Sequence, residues 1–249
     1  MSNLRKLYDN YYFRGYRKDL IAYEIARFKA LEHFISKILK LSNVSKLLDY
    51  GSGSGLHVGL WKKLFPNTSL YFCDISQVAL DNLIKKYPVF KDTCKLIKNG
   101  RAAFEDNFAD IIVSIEVMEH VADLNEYLND IHRLLKPGGI FIWTTPCANY
   151  FSIEQLYGFF THQIIKTDEG YRRWRWEDPT HIRRLKSDEI KKLLMNMGFD
   201  GIRLMFRAHF FSFICVNFFQ SFLRKIGERI MLLDYILFRY FPNGASMIG

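Results

Sequence analysis

Short apolar runs alternate with amphipathic stretches through the middle of the chain. Runs near 46–50, 69–73, 94–98, 109–114 and 139–145 are bounded by Gly, Pro, Asn, Asp or Ser and read as buried strands. Helical periodicity between them predicts helices near 56–65, 76–87, 101–105 and 122–136. Such alternation predicts a mostly parallel sheet with helices on both faces. Upstream, Leu20, Ile21, Ile25, Phe28, Leu31, Phe34, Ile35 and Ile38 recur at helical spacing and predict one helix over 17–41. Downstream, Ser187 reads as the N-cap of a helix with Asp188 and Glu189 in its first turn and Gly198 as its stop. A strand near 200–207 and a short one at 245–248 complete seven.

Two segments exceed this alternation. Residues 149–184 are rich in aromatic and basic side chains, with Tyr171-Arg172-Arg173-Trp174-Arg175-Trp176 the densest run. Residues 208–241 read as two helices, apolar over much of their surface and basic at their ends. His209, Asn217, Asp234 and short length argue against a membrane span. Lying in a membrane interface, wrapping a lipid-like acceptor, a protein contact and plain core packing all fit.

The chemistry concentrates in Leu47-Leu48-Asp49-Tyr50-Gly51-Ser52-Gly53-Ser54-Gly55. An apolar strand ends in an acid and turns through glycines into a helix. Glycines permit positive φ and close backbone approach to a ligand, and the helix aims free N–H groups at the same place. A ligand-free tight turn would use the same residues. The second strand ends in Asp74-Ile75, where a carboxylate can reach a ribose or favour the start of the helix capped by Ser76. Strand four runs into Glu116-Val117-Met118-Glu119-His120-Val121, and the following helix stops at Leu134-Leu135-Lys136-Pro137-Gly138-Gly139.

These motifs resemble those of the Rossmann-like class of S-adenosylmethionine (SAM) dependent methyltransferases. The stretch after strand four is similar to that of the ubiquinone-biosynthesis O-methyltransferase type. The resemblance covers roughly 44–206. It implies an α/β fold, a seven-stranded Rossmann-like sheet, with an N-terminal helical cap (1–43) over a SAM-binding domain (44–249). Residues 149–184 and 208–241 become insertions, the second an apolar helical one.

The resemblance also implies roles. Gly51, Gly53 and Gly55 would admit the amino acid end of SAM, and Asp49 would help hold its ammonium. Asp74 would take the ribose and Ile75 one adenine face. Asn99 would stand in where related enzymes place an acid near the adenine, since no acid follows until Glu105. Glu116 would line the cofactor pocket. Tyr12, Arg14 or Tyr16 of the cap could meet the methionine carboxylate. Methyl transfer is an in-line displacement, and an oxygen acceptor must lose a proton. His120 and His181 are the candidate bases. Glu116, Glu119 and His120 are the candidate ligands of Mg²⁺, and capping of the next helix is the alternative for Glu119 and His120. Arg173, Trp174, Arg175 and Arg183 are candidates for binding an anionic acceptor.

Composition changes the picture in three ways. The net charge is +9, and residues 171–249 hold 14 of the 35 Lys/Arg but only 7 of the 26 Asp/Glu. The basic excess suggests a small or carrier-linked anionic acceptor, or peripheral contact with an acidic inner membrane face. Four scattered cysteines without a C-x-x-C pair argue against a disulfide framework or zinc and for a cytoplasmic setting. No signal peptide pattern opens the chain. The leading expectation is O-methylation, in surface-glycan or lipid modification. RNA methylation and SAM binding without catalysis are the alternatives, with nucleic acid not the expected partner and the oligomeric state left open.

Overall fold

The computed structural model describes residues 2–14, 22–39, 41, 44–149, 151–166, 172–218 and 224–249. Tyr16, Leu20, Ile21 and Tyr171, named above, lie outside them.

In chain order the elements are α1 (Ser2–Phe13), α2 (Ala22–His33), β1 (Lys46–Tyr50), α3 (Val58–Leu64), β2 (Ser69–Asp74), α4 (Gln77–Lys86), β3 (Cys94–Lys98), β4 (Arg101–Ala102), β5 (Ala109–Ile115) and α5 (Leu124–Leu134). There follow β6 (Leu135–Pro146), α6 (Ile153–Phe160), β7 (Ile164–Lys166), β8 (Arg172–Trp174), α7 (Ser187–Asn196), β9 (Met205–Arg207), α8 (Phe210–Phe218), α9 (Arg224–Phe238) and β10 (Ser246–Ile248). They form two compact units. The first comprises Met1–Asp19, Ile35–Ile115 and Asp123–Ile142, the second Leu20–Phe34, Glu116–Ala122 and Trp143–Gly249.

In the first unit the strand order is β4-β3-β2-β1-β5, followed by the start of β6. β1 lies parallel to β2 on one side and β5 on the other. Leu47, Leu48, Ile111, Ile112 and Val113 are essentially inaccessible, as a strand covered on both faces requires. Ser76 caps α4 as expected, its Oγ accepting from the Ala79 N–H.

The expected helix over 101–105 is a strand instead, which makes eight main-sheet strands where seven were expected. Asn99 and Gly100 have φ of 50° and 70°, the conformation of a two-residue hairpin turn. The chain therefore folds back, and β4 pairs antiparallel with β3. Asp130 of α5 fastens this edge by accepting from the Ala102 N–H and the Tyr50 hydroxyl.

In the second unit β10 runs antiparallel between the end of β6 and β9. The single helix expected over 17–41 is shorter. α2 ends at His33 and the chain continues as a wider turn over Phe34–Leu39. The insertion 149–184 contributes α6 and the β7–β8 hairpin. Ser187 is the first residue of α7 rather than its cap. The Asn149 carbonyl accepts from the Ser187 N–H, and Glu189 accepts from the Lys186 N–H.

The segment 208–241 forms two helices, as its pattern predicts. α9 packs on α2 and α8, burying Ala26, Cys215, Met231 and Tyr235. Asp234, an acid within an apolar helix, is fully buried because it caps α8. Its carboxylate accepts from the His209 and Phe211 N–H groups and the Ser212 hydroxyl. Burial alone would raise its pKa, yet the bonds from His209 and Ser212 outweigh it and hold the group below the usual carboxylate range. Phe210, Phe211, Ile226, Leu233, Ile236 and Leu237 remain exposed. No described helix is long and apolar enough to cross a membrane.

Candidate active site

The glycine turn of the first unit has the geometry its residues foretell. Gly51, Gly53 and Gly55 have φ of 81°, 54° and 77°. The Gly51 and Ser52 N–H groups bond the Cys73 carbonyl, fastening the turn to the end of β2. Asp74 accepts from the Gly53 N–H at 2.8 Å and the Ser76 N–H at 2.9 Å. It thus shapes the turn as well as facing it. Burial pushes Asp74 up to about 6, against the pull of these N–H groups. Asp49 accepts from the Trp61 indole at 2.7 Å, and burial raises it to about 7. Two buried carboxylates whose pKa values are raised by burial are ionised more readily beside a cation, so the pair favours one. The Ser52 Oγ is buried with no hydrogen-bond partner among the described residues. These features fit a ligand carrying an ammonium and a sulfonium.

α1 lies over the same turn. The Ser76 hydroxyl donates to Asp9 at 2.6 Å, and a Cβ built on Gly53 would stand 2.5 Å from the Tyr12 hydroxyl. Of the cap candidates, Tyr12 therefore borders the glycines, while Arg14 is solvent-exposed. Ile75 is half-buried beside Asp74, and Asn99 is exposed. Asn99 has a conformational reason for its position, the left-handed turn. Near residue 100, where the sequence lacks an acid, the Glu126 carboxylate of α5 covers Gly100. No local motif marks that placement, because Glu126 is one more polar residue in the first turn of a helix.

The second unit holds both candidate bases. Glu116, immediately after β5, has φ of 56°, a strained value for a side chain of this kind. It is held there by three contacts. Its N–H donates to the Thr144 carbonyl, the Thr144 hydroxyl donates to its carboxylate at 2.7 Å, and Arg27 lies 3.4 Å away.

His120 and His181, separate candidates in the sequence, stand together with ring centroids 4.7 Å apart. The Thr180 hydroxyl donates to Asp178 at 2.7 Å, so toward the His120 Nδ1 at 3.0 Å its oxygen can only accept. The Thr180 carbonyl, also an acceptor, lies 3.3 Å from the same nitrogen. The His120 Nδ1 therefore carries a proton, which in the neutral ring leaves the lone pair on Nε2. Burial, and next the neighbouring His120, lower His181 to about 3. His181 is thus neutral, and its 3.9 Å approach to Glu177 is not an ion pair. Such weak basicity makes His181 a poor proton acceptor.

The expected metal set does not assemble as written. The Glu116 carboxylate is engaged by Arg27 and Thr144. The group with converging donor atoms is Glu119, His120 and His181, within 4.8 Å of one another. Glu119 also accepts from the Thr145 hydroxyl at 3.0 Å. Two imidazoles and one carboxylate do not suit a hard cation, so these residues fit Mg²⁺ poorly.

The substrate candidates separate by environment. Arg183 is buried, and its guanidinium donates to the Met118 and Ala122 carbonyls, holding the segment that carries His120. Trp174 is 2% exposed beneath the Arg184 guanidinium, 4.6 Å from it. Its ring is covered, whereas that of Trp176 in the same run is exposed. Arg184, unremarked in the sequence, bridges Glu154 and Glu177. Arg175 is exposed and Arg173 half-buried on the β8 strand.

Comparison with known proteins agrees with this geometry. Residues 23–204 match the methyltransferase-domain family. The chain is 30% identical over 147 residues to the ubiquinone/menaquinone biosynthesis C-methyltransferase of Rickettsia prowazekii, covering 54% of this chain and 57% of that protein. That match spans little more than half of the relative's length. It is 27% identical over 222 residues to the ubiquinone biosynthesis O-methyltransferase of the same organism, covering 80% of each. A Haloferax volcanii methyltransferase, solved in complex with a methyltransferase activator, superposes with a TM-score of 0.63 at 16% identity over 97% of this chain and 95% of that one. At that identity the likeness concerns the fold. Family match, sheet and glycine turn agree: the chain belongs to the methyltransferase-domain family and is a SAM-dependent methyltransferase of the Rossmann-like class.

Proposed function

We propose that the protein transfers a methyl group from SAM to a hydroxyl oxygen of a small or carrier-linked acceptor, with His120 as general base. SAM supplies an electrophilic methyl on a sulfonium. Asp49 and Asp74 would hold its ammonium and ribose at the glycine turn, and the Glu126 carboxylate would meet the adenine amine. The observation that carries the oxygen acceptor is the fixed His120 tautomer. Asp178 orients Thr180, Thr180 accepts from Nδ1, and Nε2 keeps the lone pair that takes the acceptor proton. An amine acceptor would need no such arrangement. Relatives named as C-methyltransferases and one named as an O-methyltransferase support a carbon or hydroxyl acceptor over nucleic acid.

The test is a panel of hydroxyl acceptors assayed with His120→Ala. The expected result is a loss of about 10²- to 10⁴-fold in kcat with SAM affinity unchanged. Full activity in that variant, or product methylated only on nitrogen, would overturn the proposal.

The reading extends to location. The exposed apolar residues of α8 and α9 lie near Lys225, Arg229 and Arg239, and the outer residues of α6, Phe159 and Phe160, are also exposed. An apolar face edged by basic groups suits shallow contact with an acidic membrane surface, where a lipid-linked acceptor would be met.

A further inference from the structure

Two arginines in the second unit are buried without the negative charge they require. Arg27 on α2 and Arg207 on β9 are each 4% exposed. They lie on either side of Tyr23, with guanidinium carbons 5.6 and 4.3 Å from its ring centroid. The Glu116 carboxylate lies 3.4 Å from the Arg27 Nη2. Tyr23 brings no charge, because burial raises its hydroxyl further above neutrality. The Nε and Nη1 of Arg27 and the Nε and Nη2 of Arg207 are buried with no hydrogen-bond partner among the described residues.

This arrangement is costly as it stands. Buried guanidinium groups are retained where each N–H finds an acceptor. Here burial and the neighbouring Arg27 both push the Arg207 pKa down, though Tyr23 and Glu116 oppose them. In Arg207 the two orphaned nitrogens are Nε and Nη2, the side-on edge that grips two oxygens of one oxyanion. The nearest acid cannot fill that edge, since the Glu116 carboxylate is held by Thr144 and Arg27.

We propose that Arg27 and Arg207 form a binding subsite for an oxyanion group of the methyl acceptor, a carboxylate or a phosphate. This inference rests on the transferase reading above and names the class of acceptor it takes. Glu116 joins the subsite to the base. Its carboxylate touches Arg27, and its charge is felt at His181 beside His120. An acceptor anchored at the arginines through its oxyanion would present a hydroxyl to His120. The basic cluster therefore selects acidic acceptors and rejects neutral ones, because a neutral group would leave the guanidinium edges unpaired.

The experiment is thermal unfolding of the full chain titrated with inorganic phosphate and with benzoate, using chloride at matched ionic strength as control. At roughly tenfold excess over Kd, at least one oxyanion should raise the wild-type Tm by about 3 °C or more, and chloride should not. Arg207→Met keeps the apolar stem and removes the charge. It should show a Tm no lower than wild type without oxyanion, no response to oxyanion, and SAM affinity within about twofold of wild type by calorimetry. Arg27→Lys keeps the charge and should weaken the response about tenfold. His120→Ala should keep the full response while losing turnover, so failure of the base assignment and failure of the subsite are separable. Three results would overturn the inference. The wild type could ignore both oxyanions, or Arg207→Met could retain the response. SAM affinity could also fall tenfold or more in Arg207→Met, which would assign the arginines to the cofactor's carboxylate.

Discussion

Two glycines four residues apart should respond to alanine in opposite directions. Gly55 has φ of 77°, and a Cβ there would stand 2.9 Å from Leu83 Cγ and 3.2 Å from Val58 Cγ2. Leu83 and Val58 are both fully buried, so neither can swing away. The left-handed backbone costs about 1–2 kcal/mol for alanine, and overpacking a fixed core costs about 1–3 kcal/mol more. Gly55→Ala should therefore lose about 2–5 kcal/mol. Gly59 lies inside α3, and its Cβ would meet nothing within 4 Å. Gly59→Ala should gain about 0.5–1 kcal/mol from the helical backbone alone. Urea unfolding of both variants, with calorimetry of SAM binding, tests the pair. SAM affinity should fall in Gly55→Ala and hold in Gly59→Ala. A Gly55→Ala protein within about 0.5 kcal/mol of wild type would refute the turn geometry. Equal damage at the two positions would refute the claim that the turn, rather than the segment, is specific.

Asp49 should make cofactor binding depend on pH. Burial raises its folded pKa to about 7, from the usual carboxylate value of about 4. The unliganded protein therefore loses stability from this group as pH rises from about 4 to 7, as a proton held in the fold is released. An ammonium needs the ionised form, so the SAM Kd measured by calorimetry should rise about tenfold between pH 8 and pH 6; a flat profile would remove Asp49 from the ammonium site. At the surface, co-sedimentation with vesicles containing acidic lipid should occur at low salt and weaken as salt rises. Phe210→Ser/Leu237→Ser should reduce it, and absence of binding to such vesicles would refute the membrane reading.

The strands of the first unit were legible because each is a short apolar run closed by turn residues, and burial on both faces leaves no other use for them. The glycine turn was legible for the same local reason. The elements read less well are those whose form depends on a partner. The 101–105 segment has a helical look, but Asn99 and Gly100 reverse the chain and β3 offers it an edge. Ser187 looks like a cap, yet Asn149, 38 residues away, bonds its N–H instead. Asp234 read as an argument against a membrane span, and only its bonds to the start of α8 show why an acid stands there.

The same division runs through the site. Asp49, Asp74 and the three glycines occupy one strand-turn-helix and the strand beside it, and periodicity and backbone sterics mark them without knowledge of the rest. By itself, the sequence determined the fold class, the cofactor turn and the two histidines as chemical candidates. Tertiary structure decided how those groups act. It set His120 beside Thr180 and His181, placed Glu126 at the Asn99–Gly100 turn, drew Glu116 to Arg27 rather than to a metal set, and buried Arg27 with Arg207. The physical reason is the range of the forces involved. Backbone conformation and hydrophobic period act over a few residues and leave a local trace. The charge state, tautomer and hydrogen-bond partners of a buried side chain depend on neighbours brought in from distant parts of the chain, which no local pattern records.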